Sequence, residues 1–238
     1  MISVCMATHN GARYIKEQID SILPQLAEGD ELIISDDGSK DDTIEIIEQY
    51  ADPRIKVFRY QHPVKFTDHF ATHRYASRNF ENAMSHAKGD IVFLCDQDDV
   101  WTSDKVAKCV EALKDAILVK HNGIRIDSES KPMGLDSCGV PVSSHLLVNL
   151  YRLKIPGSHV AFRRELLDVA LPLPENTVSH DAWLGCLASC IGRCVTLDDR
   201  LIRYRIHQAN VSVHKKNSVF VQMRYRLELL LQIIKRLK

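Results

Sequence analysis

Three acids fall within four positions at Asp96-Gln97-Asp98-Asp99. Carboxylates this close repel one another. The crowding turns favourable when a hard cation sits among them, because Mg²⁺ or Mn²⁺ takes one or two carboxylates and completes its shell with phosphate oxygens. As a bare string, Asp-x-Asp is more often a solvated turn. Context favours the metal here, since the acids follow directly on the apolar run at residues 91–95 and lead into Val100-Trp101. A second acidic pair, Asp36-Asp37, closes another apolar run in the same way. The Gly38, Ser39 and Asp41 beyond it suit a turn and a helix start, which leaves Asp37 able to accept a hydrogen bond from a base N–H. Thr8-His9-Asn10-Gly11 ends a third run. Three such ends supply polar groups to one crevice if the runs are neighbouring strands.

The pattern around them predicts that they are. Short β-rich runs alternate with helical periodicity through the first half, the form of βαβ units and a mostly parallel sheet. Open sheets of that kind bind ligands outside the carboxyl ends of their strands. Residues 2–7 read as a first strand, and Tyr14, Ile15, Ile19, Ile22 and Leu23 follow at helical spacing. A second strand at residues 31–35 follows a Gly29-Asp30 turn, a helix runs through Ile44, Ile46 and Ile47, and residues 55–60 form a third strand. Residues 61–77, with His62, His69 and His73, lack a clean period and are expected to form a long loop. A helix with Phe80, Ala83, Met84 and Ala87 inward, stopped by Gly89, then delivers the strand at 91–95. Val106, Val110 and Leu113 mark another helix, and the pattern weakens over residues 120–144. A strand near 156–162, helices from Arg164 and His180, and a strand at 201–205 complete a second half of α+β flavour. One α/β domain over residues 1–212 is expected, followed by a separate basic amphipathic helix within 213–238.

Bulk properties narrow the classes. The chain has 238 residues, with 31 Lys and Arg against 31 Asp and Glu. Such neutrality argues against a domain whose work is holding nucleic acid, which shows as an excess of basic residues. The balance is uneven, because residues 213–238 hold seven basic side chains and one acid, Glu228. Seven cysteines, an odd number with no CxxC pair, suit a reducing compartment. Cys186, Cys190 and Cys194 recur every four residues and read as small residues lining one helix face rather than as a metal site. Nothing approaches the roughly 20 apolar residues that span a bilayer, and no signal-peptide pattern follows Met1, so a cytoplasmic protein is expected. Leu227, Leu230, Leu231, Ile234 and Leu237 recur on one side of the final stretch. That stripe suits a peripheral contact with a membrane surface. It equally suits packing on the body or on a partner subunit, as in a homodimer.

Taken together, the strings resemble glycosyltransferase family 2, the inverting nucleotide-sugar enzymes of GT-A fold. The resemblance runs through Ser3-Val4-Cys5-Met6-Ala7-Thr8-His9-Asn10, Ile34-Ser35-Asp36-Asp37-Gly38-Ser39, Asn79-Phe80-Glu81-Asn82-Ala83 and Asp96-Gln97-Asp98-Asp99-Val100-Trp101. It continues in His180-Asp181-Ala182-Trp183 and in residues 204–212, so nearly the whole chain is covered. The likeness is greatest to bacterial members that build surface polysaccharides, including rhamnosyl- and galactosyltransferases. It implies a Rossmann-like, mostly parallel sheet flanked by helices, with a nucleotide-binding half at residues 1–100 and an acceptor half at 101–212.

By that resemblance Thr8 and Asp37 contact the nucleobase, Asp96 lies near the ribose, and Asp98 binds the Mn²⁺ or Mg²⁺ that bridges the diphosphate, with Asp99 supporting it. Arg78 is a candidate second cation for the phosphates or an exposed helix-start arginine. His207 resembles the late histidine of a Tyr-Arg-x-His motif, placed to reach the metal or diphosphate. Asp181 resembles the base that takes the acceptor's proton, although the family often has Glu-Asp or Asp-Asp where this chain has His180-Asp181. Trp101 and Trp183 are candidates for a sugar platform or for the core. The implied partners are a nucleotide-sugar donor, UDP- or dTDP-linked, and a saccharide acceptor that a lipid carrier can bear. A non-catalytic nucleotide-sugar-binding module and a nucleotidyltransferase are the alternatives. The second would show a Gly-rich, basic loop after the first strand, and Thr8-His9-Asn10-Gly11-Ala12-Arg13 is a poor one.

Overall fold

The structure, a computed structural model, describes residues 1–207 and 218–238. The first half alternates as expected, with β1 (Ile2–Thr8), α1 (Ile15–Ile22), β2 (Glu31–Asp36), α2 (Thr43–Glu48), β3 (Ile55–Arg59), α3 (Ala71–Ser85) and β4 (Ile91–Asp96). The second half comprises β5 (Val100–Trp101), α4 (Lys105–Ala112), β6 (Leu118–Ile126), β7 (Pro132–Asp136), α5 (Leu146–Arg152), β8 (Val160–Arg163), α6 (Arg164–Ala170), α7 (His180–Ile191), β9 (Cys194–Arg205) and α8 (Val219–Arg236). Eight strands lie side by side in the order β3-β2-β1-β4-β8-β6-β9-β5, and β7 pairs with β6. β1 to β4 are mutually parallel where they pair, β8 is antiparallel to both its neighbours, and β6 and β9 are parallel.

Helices cover both faces, as the near-continuous apolar runs of buried parallel strands require. Val4, Met6, Phe93 and Cys95 turn to one side, against Ile15, Ile19, Ile44 and Val106 of α1, α2 and α4. Cys5, Val92 and Leu94 turn to the other, against Phe80, Met84, Leu166, Trp183 and Leu187 of α3, α6 and α7. The alternation within β1 and β4 is the period of two that a strand imposes on its side chains.

Three expectations are corrected. The loop expected over 61–77 ends early, because α3 begins at Ala71. Its inward positions before Phe80 are the buried polar residues Arg74, Ser77 and Asn79, so an apolar period could not reveal the helix. The weak stretch from residue 120 contains most of β6, whose buried positions include Lys120 and His121 in place of aliphatic residues. The cysteines do not share one helix face: α7 ends at Ile191, and Cys194 opens β9.

Helix α8 is present and packs on the body through Leu229 and Ile233. Arg226 donates to the carbonyls of Leu150 and Tyr151, and Arg236 to those of Val169 and Leu171. Of the expected stripe, Leu230 packs against the core while Leu227, Leu231, Ile234 and Leu237 are exposed, as are Phe220 and Met223 of α8 and Leu147 and Tyr151 of α5. No helix among the described residues is long and apolar enough to cross a membrane.

Candidate active site

Register places the chemistry. Thr8 at the end of β1 pairs with Asp36 at the end of β2, and Ala7 pairs with Asp96 at the end of β4, so three strands stop level at one sheet edge. The loops beyond them are stitched together. Gln97 Oε1 accepts from the His9 amide at 2.9 Å while its Nε2 donates to the His9 carbonyl. The Asn10 amide donates to Ser39 Oγ, and the Lys40 amide to Asn10 Oδ1, both at 2.8 Å. Asn10 sits at φ 50°, a left-handed conformation that asparagine tolerates better than most residues. Above this edge opens a cleft of ≈ 1550 Å³ lined by Thr8, Asp37, Asp96, Asp98, Asp181 and His207, among others.

On the β1–β2 side of the cleft, Asp36 is wholly buried and structural. It accepts from Thr8 Oγ1 at 3.1 Å and the Ser39 amide at 3.1 Å, and pairs with Arg59. Asp37 is the member of the pair that faces the cleft, with Oδ2 2.7 Å from Nε2 of His62. The Asn79 side chain holds the Thr8 carbonyl at 3.1 Å.

The acids of the β4 edge are divided by environment. Asp98 faces the cleft and meets His207 Nε2 at 2.7 Å through Oδ2. Burial, and then the charge of Asp98, pushes the Asp96 carboxyl up to about 7. Asp99 is fully buried behind the lining and accepts the Arg205 amide at 2.9 Å through Oδ1, while Oδ2 has no hydrogen-bond partner among the described residues. Burial, then Asp98 and Asp96, raises its carboxyl well above the usual carboxylate range. Two buried cations answer this negative edge. Arg205 donates to the Asp98 carbonyl at 2.7 Å and to Glu17 at 2.6 Å. Lys105 donates to the Ser158 carbonyl at 2.9 Å and lies 4.0 Å from the centre of the Trp101 ring, with burial lowering its ammonium to about 8.

The facing wall is the start of α7. Ser179 is its N-cap, accepting the Ala182 amide, so capping is not left to Asp181 alone. Asp181 Oδ1 takes the Ser179 hydroxyl and the Ala182 amide. His180 beside it stacks on Phe80 at 4.2 Å.

Four candidates from the sequence lie outside the cleft lining. Arg78 does not line the cleft. Its guanidinium binds Glu81 and donates to the carbonyls of Leu173, Pro174 and Glu175, which makes it a tether for that loop. Asp99 is buried behind the cleft and is not part of its lining. Trp101 and Trp183 are core, the first packed on Phe93 and the second wholly buried with its N–H on the Ala170 carbonyl. Sequence reasoning missed Lys105 and Arg205. A charged residue that tertiary contacts bury has little local signature: Lys105 stands near the acidic motif, and Arg205 within the Tyr-Arg-x-His string.

Residues 3–168 match the family model described as Glycosyl transferase family 2. The chain belongs to that family. An uncharacterised glycosyltransferase of Nostoc sp. is 31% identical over 221 residues, which is 88% of this family 2 chain and 66% of that protein. A relative from Escherichia coli, the UDP-Glc:alpha-D-GlcNAc-diphosphoundecaprenol beta-1,3-glucosyltransferase WfgD, is 27% identical over 90% of this chain and 81% of its own. Among solved structures, S. aureus TarS 1-349 in complex with UDP-GlcNAc superposes with TM-score 0.67 and 20% identity over 97% of this chain and 66% of that one. Glucosyl-3-phosphoglycerate synthase from Mycobacterium tuberculosis, in complex with Mn²⁺, UDP and phosphoglyceric acid, gives TM-score 0.57 and 18% identity over 99% of this chain and 78% of that one. These likenesses identify the fold as GT-A. The chain spans about two-thirds of the length of the Nostoc relative.

The raised carboxyl of Asp96 has a consequence for stability. A carboxyl whose pKa is higher folded than unfolded favours the folded state below the unfolded value of about 4, and that contribution is lost as pH rises towards 7. In a metal-free thermal melt series from pH 5 to 8, the melting temperature should fall by several degrees. Asp96→Asn should flatten the dependence. A wild-type melting temperature that is flat or rising over this range contradicts the assignment.

Proposed function

We propose that this chain is an inverting glycosyltransferase that moves a hexose or deoxyhexose from a UDP- or dTDP-sugar to a saccharide acceptor, in cell-surface polysaccharide synthesis. The observation that carries the reading is the opposition across one cleft of Asp98 with His207 on the β4–β9 side and Asp181 on the α7 side. A binding module has no need of the second wall, and a nucleotidyltransferase has no need of a carboxylate facing the donor's sugar.

The donor set fits a divalent cation. Among the described residues no three His, Cys, Asp or Glu side chains form a closed metal cage. A carboxylate and an imidazole already in contact leave most of a coordination shell to diphosphate oxygens and water, which is how Mg²⁺ sites at nucleotides are built. Asp98 and His207 would hold it. Bound there, the cation stabilises the negative charge that develops on the departing diphosphate.

The chain's own residues do the rest. Asp37 and the Thr8 region hold the nucleobase at the ends of β2 and β1, and Asp96 meets the ribose. Asp181 takes the acceptor hydroxyl's proton as that oxygen attacks the anomeric carbon from the side opposite the diphosphate, so the new bond forms with inversion. The Ser179 hydroxyl and the Ala182 amide keep Asp181 oriented. The neighbouring structures, one holding UDP-GlcNAc and another Mn²⁺ with UDP, support a uridine nucleotide and a divalent cation.

The acceptor is proposed to be lipid-linked and met at the cytoplasmic membrane face. The exposed stripe Phe220, Met223, Leu227, Leu231 and Ile234 supports this, with Lys235 and Lys238 close by. The E. coli relative's diphosphoundecaprenol-linked acceptor supports it as well.

Asp98→Ala should abolish Mn²⁺-dependent UDP binding in calorimetry. Asp181→Asn should keep UDP affinity within about twofold yet cut release of nucleoside diphosphate from a UDP-, dTDP- and GDP-sugar panel by roughly 10²–10⁴. Normal turnover in Asp181→Asn would remove the base. For the helix, the triple change Phe220→Glu, Met223→Glu and Leu227→Glu should end co-flotation with phosphatidylglycerol vesicles while leaving UDP binding intact; unchanged flotation contradicts the membrane role.

A further inference from the structure

The His180 ring has a determined hydrogen arrangement. Ser77 Oγ donates its single hydrogen to the Val178 carbonyl at 3.1 Å and accepts the His180 amide at 3.0 Å. The contact of 3.3 Å between Ser77 Oγ and His180 Nδ1 can therefore be satisfied only if Nδ1 is the donor. Burial disfavours the protonated imidazolium, so the ring is neutral and Nε2 carries a lone pair. That nitrogen is buried and has no hydrogen-bond partner among the described residues. Native proteins seldom leave a buried acceptor in this condition without a ligand or water to fill it.

Nε2 lies against Gly157, where a Cβ would stand 3.0 Å from it, so any other residue at 157 would crowd this edge of the ring. Next nearest to that point are Leu94 Cδ1 and Asp181 Cβ, neither able to donate a hydrogen bond. Gly157, His180 and Asp181 all line the cleft, and stacking on Phe80 fixes the plane of the ring. We propose that His180 Nε2 accepts a hydrogen bond from a hydroxyl of the sugar held against Asp181, and so selects sugars bearing a hydroxyl at that place. This rests on the cleft being the nucleotide-sugar site. The hydroxyl belongs to the donor sugar or to the acceptor, which present the same chemistry.

Histidine ¹⁵N NMR on the full chain with Mg²⁺ tests it. The free protein should show His180 as the Nδ1–H tautomer. A shift of His180 Nε2 with UDP-glucose, UDP-galactose or dTDP-rhamnose, beyond that caused by UDP or dTDP alone, assigns the hydroxyl to the donor. A shift only when methyl N-acetylglucosaminide is added with UDP assigns it to the acceptor. An Nε2–H tautomer, or an Nε2 unmoved by every sugar while His207 responds to UDP, overturns this inference alone. Silence at both histidines overturns the donor-site reading with it. His180→Phe keeps the stack and removes the acceptor, and should lower kcat/KM about tenfold. His180→Gln, which carries an oxygen near the Nε2 position, should stay within about threefold of wild type. Full kcat/KM in the phenylalanine variant also overturns the proposal.

Discussion

The site depends on keeping like charges together at the end of a strand. Asp96, Asp98 and Asp99 leave β4 within four residues, two of them where burial itself opposes ionisation. Unit charges about 4 Å apart repel by roughly 4 kcal/mol at the effective dielectric of a protein margin. Such an edge persists only if cations and donors are brought to it from elsewhere in the chain. Arg205 and His207 arrive at the end of β9, and Lys105 arrives at the start of α4. The second half of the fold thereby answers the acids of the first. Because β9 runs between β6 and β5, the sheet must be complete before the edge is neutralised.

The same constraint explains a division of labour around the cleft. On the β1–β2–β4 side, the loops after those strands bind one another through Gln97, Asn10 and Ser39. The facing wall is built on α7 and α3, whose inward polar residues Ser77, Asn79 and His180 sit among core residues such as Phe80 and Trp183. Each of those side chains has a hydrogen-bond partner, while His180 Nε2 and Asn79 Oδ1 have none among the described residues.

Where the apolar pattern followed ordinary burial, the sequence was easy to read. β1, β2, β4 and their helices obey periods of 2 and 3.6, and the acids at their ends stand at one edge because parallel strands in register must stop together. The early turns of α3 are invisible because Arg74 and Ser77 take buried positions in place of the leucines that would announce a helix. β6 was obscured by Lys120 and His121, buried by neighbours far away in sequence. Arg78 misled for the converse reason. It stands in the right region of the chain, but the 173–175 loop, which local pattern could not place beside it, takes up its guanidinium.

The central claim is that the carboxylates of the β4 edge gather a cation and a diphosphate into one place. Crystals soaked with UDP and MnCl₂ measure this directly through the manganese anomalous signal. A single strong peak bonded to Asp98 and to both phosphates of UDP, with Asp181 across the cleft from it, is expected. A peak elsewhere, or UDP bound with Asp98 still held only by His207, would contradict it.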